Sequence, residues 1–64
     1  MTEREMDNLM ALALPHMDKY NLKLARDCMV EYKRTGKQKY LDEFVAILEN
    51  FAEEDKELRK ALKR

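Results

Sequence analysis

The chain has 64 residues, of which 41% are charged, and it contains one Cys, one Gly and one Pro. Its 13 basic and 13 acidic side chains give a net charge of zero, so it lacks the basic excess of a typical nucleic-acid-binding domain. A single cysteine excludes an intramolecular disulfide, and one Cys with one His cannot supply the four ligands of a zinc site. A domain this small needs very good helix packing or a partner to be stable.

The first helix is predicted over residues 3–14. Thr2 and Glu5 match the capping box, in which the side chain of each residue bonds to the backbone N–H of the other. Apolar residues then recur at helical spacing: Met6, Leu9, Met10 and Ala13. Pro15 removes a helical hydrogen bond and disfavours helix at the residue before it. We therefore expect the helix to end or kink just before the proline, with residues 15–20 forming a short connection or a weak extra turn.

The second helix is predicted over residues 21–35. Asn21 is a favourable N-cap residue because its side chain can accept an unpaired backbone N–H. An apolar stripe follows at Leu22, Ala25, Met29 and Tyr32. Gly36 is the only glycine, and it stands where a residue with left-handed backbone commonly ends a helix. The second helix is therefore predicted to end at residue 35.

The third helix is predicted over residues 38–63, a length of roughly 38 Å. Its larger apolar residues alternate spacings of three and four, as in a heptad seam: Leu41, Phe44, Leu48, Phe51, Leu58 and Leu62. Asp55 occupies the one missing step. It is interpreted either as a solvated side chain beyond the core or as a polar residue that sets the register of a pairing interface. The second helix spans only roughly 21 Å, so it leaves half of the third uncovered.

These patterns predict an all-α protein with a three-helix arrangement. A short first helix precedes an antiparallel hairpin of the second helix and the long third helix, and dimerisation completes the fold. The first helix and the uncovered end of the third both offer apolar residues to a second copy or to another protein. The predicted interface residues are Met6, Leu9, Met10, Phe51, Asp55, Leu58, Ala61 and Leu62.

Two residues of types that often carry chemistry are interpreted as structural. The sequence indicates no partner for His16, which favours an ordinary histidine over a metal ligand or general base. Cys28 lies on the inward side of the second helix, and a small buried residue is favoured over a reactive thiolate. No Gly-rich phosphate loop, pair of catalytic carboxylates or metal cluster is found. The chain is therefore predicted not to be an enzyme, with no cofactor, metal or small-molecule substrate.

A basic run surrounds the turn at Gly36 and could contact phosphates: Lys33, Arg34, Lys37 and Lys39. Against a DNA-binding function, Asp42 and Glu43 would repel a phosphate backbone at the start of the third helix. A solvated turn is the favoured interpretation. The alternative is a small nucleic-acid-associated regulator that uses this turn and the basic C-terminus.

The favoured function is a non-enzymatic interaction or regulatory protein, acting as a homodimer or as a subunit that docks on another protein. No apolar run approaches the roughly 20 residues needed to cross a bilayer, so no membrane partner is expected. Residues 2–5 are too charged for a signal peptide, and a lone cysteine suits reducing conditions. A cytoplasmic location is therefore predicted.

Overall fold

Residues 1–62 are described by a computed structural model, and within this range the chain forms four α-helices and no strand. The prediction of an all-helical protein is confirmed. The first helix, α1 (Glu3–Ala13), begins with the predicted capping box. The Thr2 hydroxyl accepts the backbone N–H of Glu5 at 3.2 Å, and the Glu5 carboxylate accepts that of Thr2 at 3.0 Å. Two backbone donors that the first turn would otherwise leave unpaired are thereby satisfied.

Pro15 marks the end of α1, as predicted. It lies in a 3₁₀ turn over Leu14–His16, which follows the helix directly. The proline has no N–H to donate to the helical ladder, and its ring crowds the preceding turn. Met17 then adopts an extended backbone with φ of −89° and ψ of 140°, so the chain changes direction before the second helix.

The second helix, α2, spans Lys19–Thr35 and begins two residues earlier than predicted. Asp18 is its N-cap, and the prediction of Asn21 in that role is wrong. One carboxylate oxygen of Asp18 accepts the backbone N–H of Asn21 at 2.7 Å and its side-chain amide at 2.9 Å. Negative charge is stabilised at the positive end of the helix dipole, which favours the carboxylate as cap. At the other end Gly36 has φ of 70°, which confirms the predicted left-handed residue.

The prediction of one continuous third helix is wrong. The structure has two helices in its place, α3 over Gln38–Glu49 and α4 over Lys56–Leu62, with a 3₁₀ turn over Ala52–Glu54 between them. Asp55 follows this turn with an extended backbone, φ of −147° and ψ of 114°, which no α-helix accommodates. Lys63, the last residue of the predicted helix, lies outside the described residues.

Local chemistry around the break is compatible with it. In a continuous helix Glu49 and Glu53 would be like charges one turn apart, which is unfavourable. Asp55 is a strong N-cap residue, and its carboxylate accepts the backbone N–H groups of Glu57 at 2.9 Å and Leu58 at 3.2 Å. The residue that interrupts the apolar spacing in the sequence therefore begins a new helix instead of lying in a seam.

The break lets α4 fold back and close the core. α2 packs mainly on α3, to which Gly36 and Lys37 join it, whereas α4 packs on α1. All four helices contribute to the buried core, which consists of Met6, Leu9, Met10, Ala13, Ala25, Cys28, Leu41, Phe44, Leu48 and Leu58. The longest dimension is 30 Å, less than the roughly 38 Å of an unbroken third helix.

Candidate functional site

Four of the predicted interface residues lie in the core of their own chain. Met6, Leu9 and Met10 in α1 and Leu58 in α4 each expose 9% of their surface or less. The prediction assumed that nothing in the chain covers Leu58, and this assumption is wrong because α4 packs on α1. These four side chains stabilise the fold of the single chain, and the folded surface does not offer them to a partner.

The other four predicted interface residues are spread over the surface of α4 and the break before it. Phe51 and Leu62 are half-buried and pack against the core. Ala61 is exposed, and Asp55 is half-buried at the start of α4. These four residues therefore do not form one exposed apolar patch, since only Ala61 is both apolar and exposed.

A cluster of one histidine and two carboxylates joins the end of α1 to the start of α4. His16 Nε2 lies 3.1 Å from Asp55 Oδ2, and His16 Nδ1 lies 3.7 Å from Glu54 Oε2. The hydrogen bond from His16, reinforced by the backbone N–H of Leu58, lowers the pKa of the Asp55 carboxyl. Both ring nitrogens therefore face carboxylates, and these contacts link the turn after α1 to the segment that leads into α4.

Cys28 is buried, as predicted, in the core side of α2. Its Sγ lies 3.7 Å from Oε2 of Glu43 in α3. Burial, followed by the nearby Glu43 carboxylate, raises the pKa of the thiol. A raised pKa and an enclosed position both oppose nucleophilic chemistry, because the thiolate is the reactive form.

Two of the four cations near Gly36 are already engaged by carboxylates. Lys33 Nζ lies 3.1 Å from Oδ1 of Asp7, which links α2 to α1. Arg34 pairs with Glu31 one turn earlier in α2, and this contact raises the pKa of Arg34 and lowers that of Glu31. Both pairs are exposed and contribute little to stability, but they reduce the positive charge presented to a phosphate.

The other two predicted phosphate-contacting residues lie on the α3 side of the turn. The Lys39 ammonium lies 4.9 Å from the centroid of its neighbour's ring, that of Tyr40. Lys37 is exposed and forms no ion pair with any residue between positions 1 and 62. The predicted basic C-terminus, Lys63 and Arg64, lies outside the described residues. The positive charge of this turn is therefore solvated, and its described cations do not form a phosphate-binding site.

Three of the exposed large apolar side chains lie on α2, including the two most exposed. Tyr20 exposes 71% of its surface, Val30 exposes 60% and Leu24 exposes 37%. At 3.6 residues per turn they fall within about one third of the helix circumference, on the side turned away from the buried Ala25. The sequence-based prediction missed this surface. The sequence carries one signal for it, the spacing of four residues between Tyr20 and Leu24.

Cations border these apolar residues. Lys19, Lys23 and Arg26 line a shallow depression on the same helix, together with Leu22 and Asp27. Long basic side chains beside exposed apolar groups suit contact with an acidic, partly apolar surface. The three apolar and three basic residues are called the α2 face below: Tyr20, Leu24, Val30, Lys19, Lys23 and Arg26.

A groove of opposite charge runs between α3 and α4. Its floor is formed by apolar side chains: Val45, Ala46, Ala52 and Leu62. Its rim carries the carboxylates of Asp42, Glu49 and Glu53. Arg59 also lines it, and its guanidinium donates to the backbone carbonyl of Glu53 at 3.4 Å. This surface is called the acidic groove below.

Comparison with protein-family models gives no match, and comparisons with curated proteins and with solved structures give none either. Across residues 1–62, no helix has both the length and the apolar character that a membrane span requires. In the same range no three His, Cys, Asp or Glu side chains are placed to hold a metal ion together.

Proposed function

We propose that this chain is a small non-enzymatic protein–protein interaction protein, of regulatory or docking type, that contacts its partner through the α2 face. The observation that carries the proposal is the exposure of Tyr20, Leu24 and Val30 on one side of a helix whose other side is buried. Exposed apolar groups bordered by polar residues are typical of interaction sites. Aromatic residues and arginine, represented here by Tyr20 and Arg26, are also enriched at such sites.

The groups best suited to chemistry support a non-enzymatic role. The Cys28 thiol is buried beside a carboxylate, and His16 is held between two others. A general base or nucleophile must reach a substrate, and both of these groups are directed into contacts within the fold. The proposal accordingly includes no cofactor, metal or small-molecule substrate.

The proposal retains the antiparallel α2–α3 hairpin and the homodimer, with a changed interface. The two-residue connection between α2 and α3 supports the hairpin. Cys28 and Glu43 lie at similar distances along the chain from this connection, and their contact joins the two helices as an antiparallel hairpin requires. An interface centred on Leu58 loses its support because that side chain is buried within the chain. The exposed α2 face is the better supported contact surface. A cytoplasmic location is consistent with this proposal and forms part of it.

A nucleic-acid-associated function is the second candidate, and one observation favours it. Residues 19–39 contain seven basic and two acidic side chains, although the whole chain is neutral. Phosphate binding would need several of these cations together, yet Lys33 and Arg34 are paired with carboxylates. Affinity for duplex DNA that falls steeply with salt would support this candidate, because phosphate neutralisation releases counterions.

Site-directed photo-cross-linking in the native host tests the interaction proposal. A photoreactive amino acid replaces Val30 in one variant and Lys60, an exposed residue of α4, in the control. Cross-linked protein is expected from position 30 and not from position 60. The linked protein is then identified and purified, and Val30→Asp is expected to weaken its binding at least tenfold while circular dichroism stays helical.

Two outcomes would contradict the proposal. Equal cross-linking from the two positions would indicate random encounter instead of a docking surface. Absence of any cross-linked protein from position 30, with the variant folded and expressed, would remove the α2 face as the functional surface.

A further inference from the structure

The charges of this neutral chain are unevenly distributed along its sequence. Residues 19–39, which hold α2 and the turn after it, carry a net charge of +5 from seven basic and two acidic side chains. The remainder of the chain carries six basic and eleven acidic side chains, a net charge of −5. In the structure, Lys19, Lys23 and Arg26 line one depression, and three carboxylates line the acidic groove. Two surfaces of opposite charge favour association between copies.

The two surfaces also match in the spacing of their charges. Lys19 and Arg26 are seven residues apart on α2, and Asp42 and Glu49 are seven residues apart on α3. Seven residues are two helical turns, so each pair lies on one side of its helix with a separation of roughly 10.5 Å. Two cations can therefore meet two carboxylates when the helices lie side by side, in either relative direction.

Apolar groups accompany the charges on both surfaces. The α2 face presents Tyr20, Leu24 and Val30, and the acidic groove has the apolar floor already described. We infer that the acidic groove of a second copy covers the α2 face, so that the chain forms a homodimer through these two surfaces. This inference rests on the proposed function, because it takes the α2 face as the docking surface. Each copy carries both surfaces, so the contact joins the α2 face of one copy to the acidic groove of another.

Other occupants fit the α2 face less well. Asp27 is exposed beside Leu24 and lies between the cations and Val30, where it would face an anionic membrane or a phosphate backbone. Exposed Tyr20 and Val30 need an apolar counterpart, which a phosphate backbone does not offer. The groove of a second copy offers carboxylates to the cations and an apolar floor to Tyr20 and Val30, and it also contains the cation of Arg59.

Charge reversal on the two surfaces tests the inference in the full-length chain. One variant carries Lys19→Glu with Arg26→Glu, a second carries Asp42→Lys with Glu49→Lys, and a third carries all four changes. All four side chains are exposed, so each variant is expected to keep its helical circular dichroism. Sedimentation equilibrium from micromolar to millimolar concentration measures self-association.

The third variant tests whether the two surfaces contact each other, because its four changes restore opposite charges across the contact. The unchanged chain is expected to dimerise, and each two-residue reversal is expected to weaken dimerisation at least about tenfold, because like charges then face each other. The chain with all four changes is again self-complementary and is expected to dimerise within about threefold of the unchanged chain. A one-to-one mixture of the two reversal variants is expected to associate for the same reason.

A control separates the local effect from net charge. Arg4→Glu with Lys60→Glu gives the same change in net charge as the α2 reversal, but both residues lie outside the two surfaces. This control is expected to dimerise almost normally at physiological salt, where exposed charges are screened beyond about 8 Å.

Three results would overturn the inference. The first is a monomer mass for the unchanged chain at every concentration from micromolar to millimolar. The second is unweakened dimerisation of the two-residue reversal variants, and the third is a monomer mass for the variant with all four changes. The proposed function fails separately, when position 30 gives no cross-link at all. A monomeric chain whose position 30 cross-links to a different protein would refute the homodimer and leave the docking function intact.

Discussion

Replacing Leu58 with alanine tests whether α4 folds back onto α1 within the single chain. Leu58 is fully buried, so the change removes three enclosed carbon atoms. At about 0.8 kcal/mol per buried methylene the transfer loss is about 2.4 kcal/mol. The cavity left behind raises the expected cost to about 3–4 kcal/mol. A domain of this size holds only about 3–5 kcal/mol in total, so the variant should be close to unfolded.

Leu24→Ala is the matched control, because it makes the same chemical change at a side chain exposed on α2. Its cost is expected to stay below about 1 kcal/mol. Urea unfolding followed by far-ultraviolet circular dichroism gives both free energies. Leu58→Val provides a milder change, with an expected cost of about 1 kcal/mol, if the alanine variant does not fold.

Two results would refute the fold-back of α4. Equal costs for Leu58→Ala and Leu24→Ala would mean that Leu58 is not enclosed. A loss of stability in Leu58→Ala that disappears as protein concentration rises would mean that this side chain is buried between copies, as the heptad interpretation assumed.

Three further results are expected. Asp55→Ala should lower the Tm more than Asp55→Asn does, because asparagine keeps an oxygen for the cap of α4. The fold lowers the pKa of Asp55, so the stabilising effect of this carboxylate is complete above the ordinary carboxyl pKa of about 4 and is lost as the pH falls through the lowered pKa. Below that pH, the unfolding free energies of the unchanged chain and of Asp55→Asn should be nearly equal. Gly36→Ala should cost about 1–2 kcal/mol in urea unfolding although nothing lies within 4 Å of the added Cβ, since φ is 70°, and Gly36→Asn should cost less. Cys28 should react with a disulfide reagent far more slowly in buffer than in urea, and equal rates would contradict its burial.

The α2 face illustrates why a docking surface is hard to predict from the sequence. The chain offers more apolar residues on α2 than one side of a helix can bury. Leu24 is as apolar as the residues of the predicted stripe, yet it is partly exposed, and Val30 is more exposed still. Periodicity identifies candidates for burial, but the neighbouring helices decide which of them are covered. Here α3 covers Ala25 and Cys28 and leaves the opposite side to solvent.

Features whose interacting groups are close along the chain could be predicted correctly from the residues alone. The capping box joins Thr2 and Glu5 across three residues, Pro15 acts on the turn before it, and Gly36 acts through its own backbone. Each depends on contacts within about one helical turn, so neither the rest of the fold nor a partner can easily change the outcome.

Only the tertiary structure decided the path of the chain after Glu49. Asp55 can either interrupt the seam of a long helix or cap a new one, and both choices are compatible with its neighbours in sequence. The capping choice brings it to His16, 39 residues away, at 3.1 Å, and places Leu58 in the core. Contacts this distant in sequence become favourable only when the chain has closed on itself, because the cost of ordering the intervening residues must first be offset by burial.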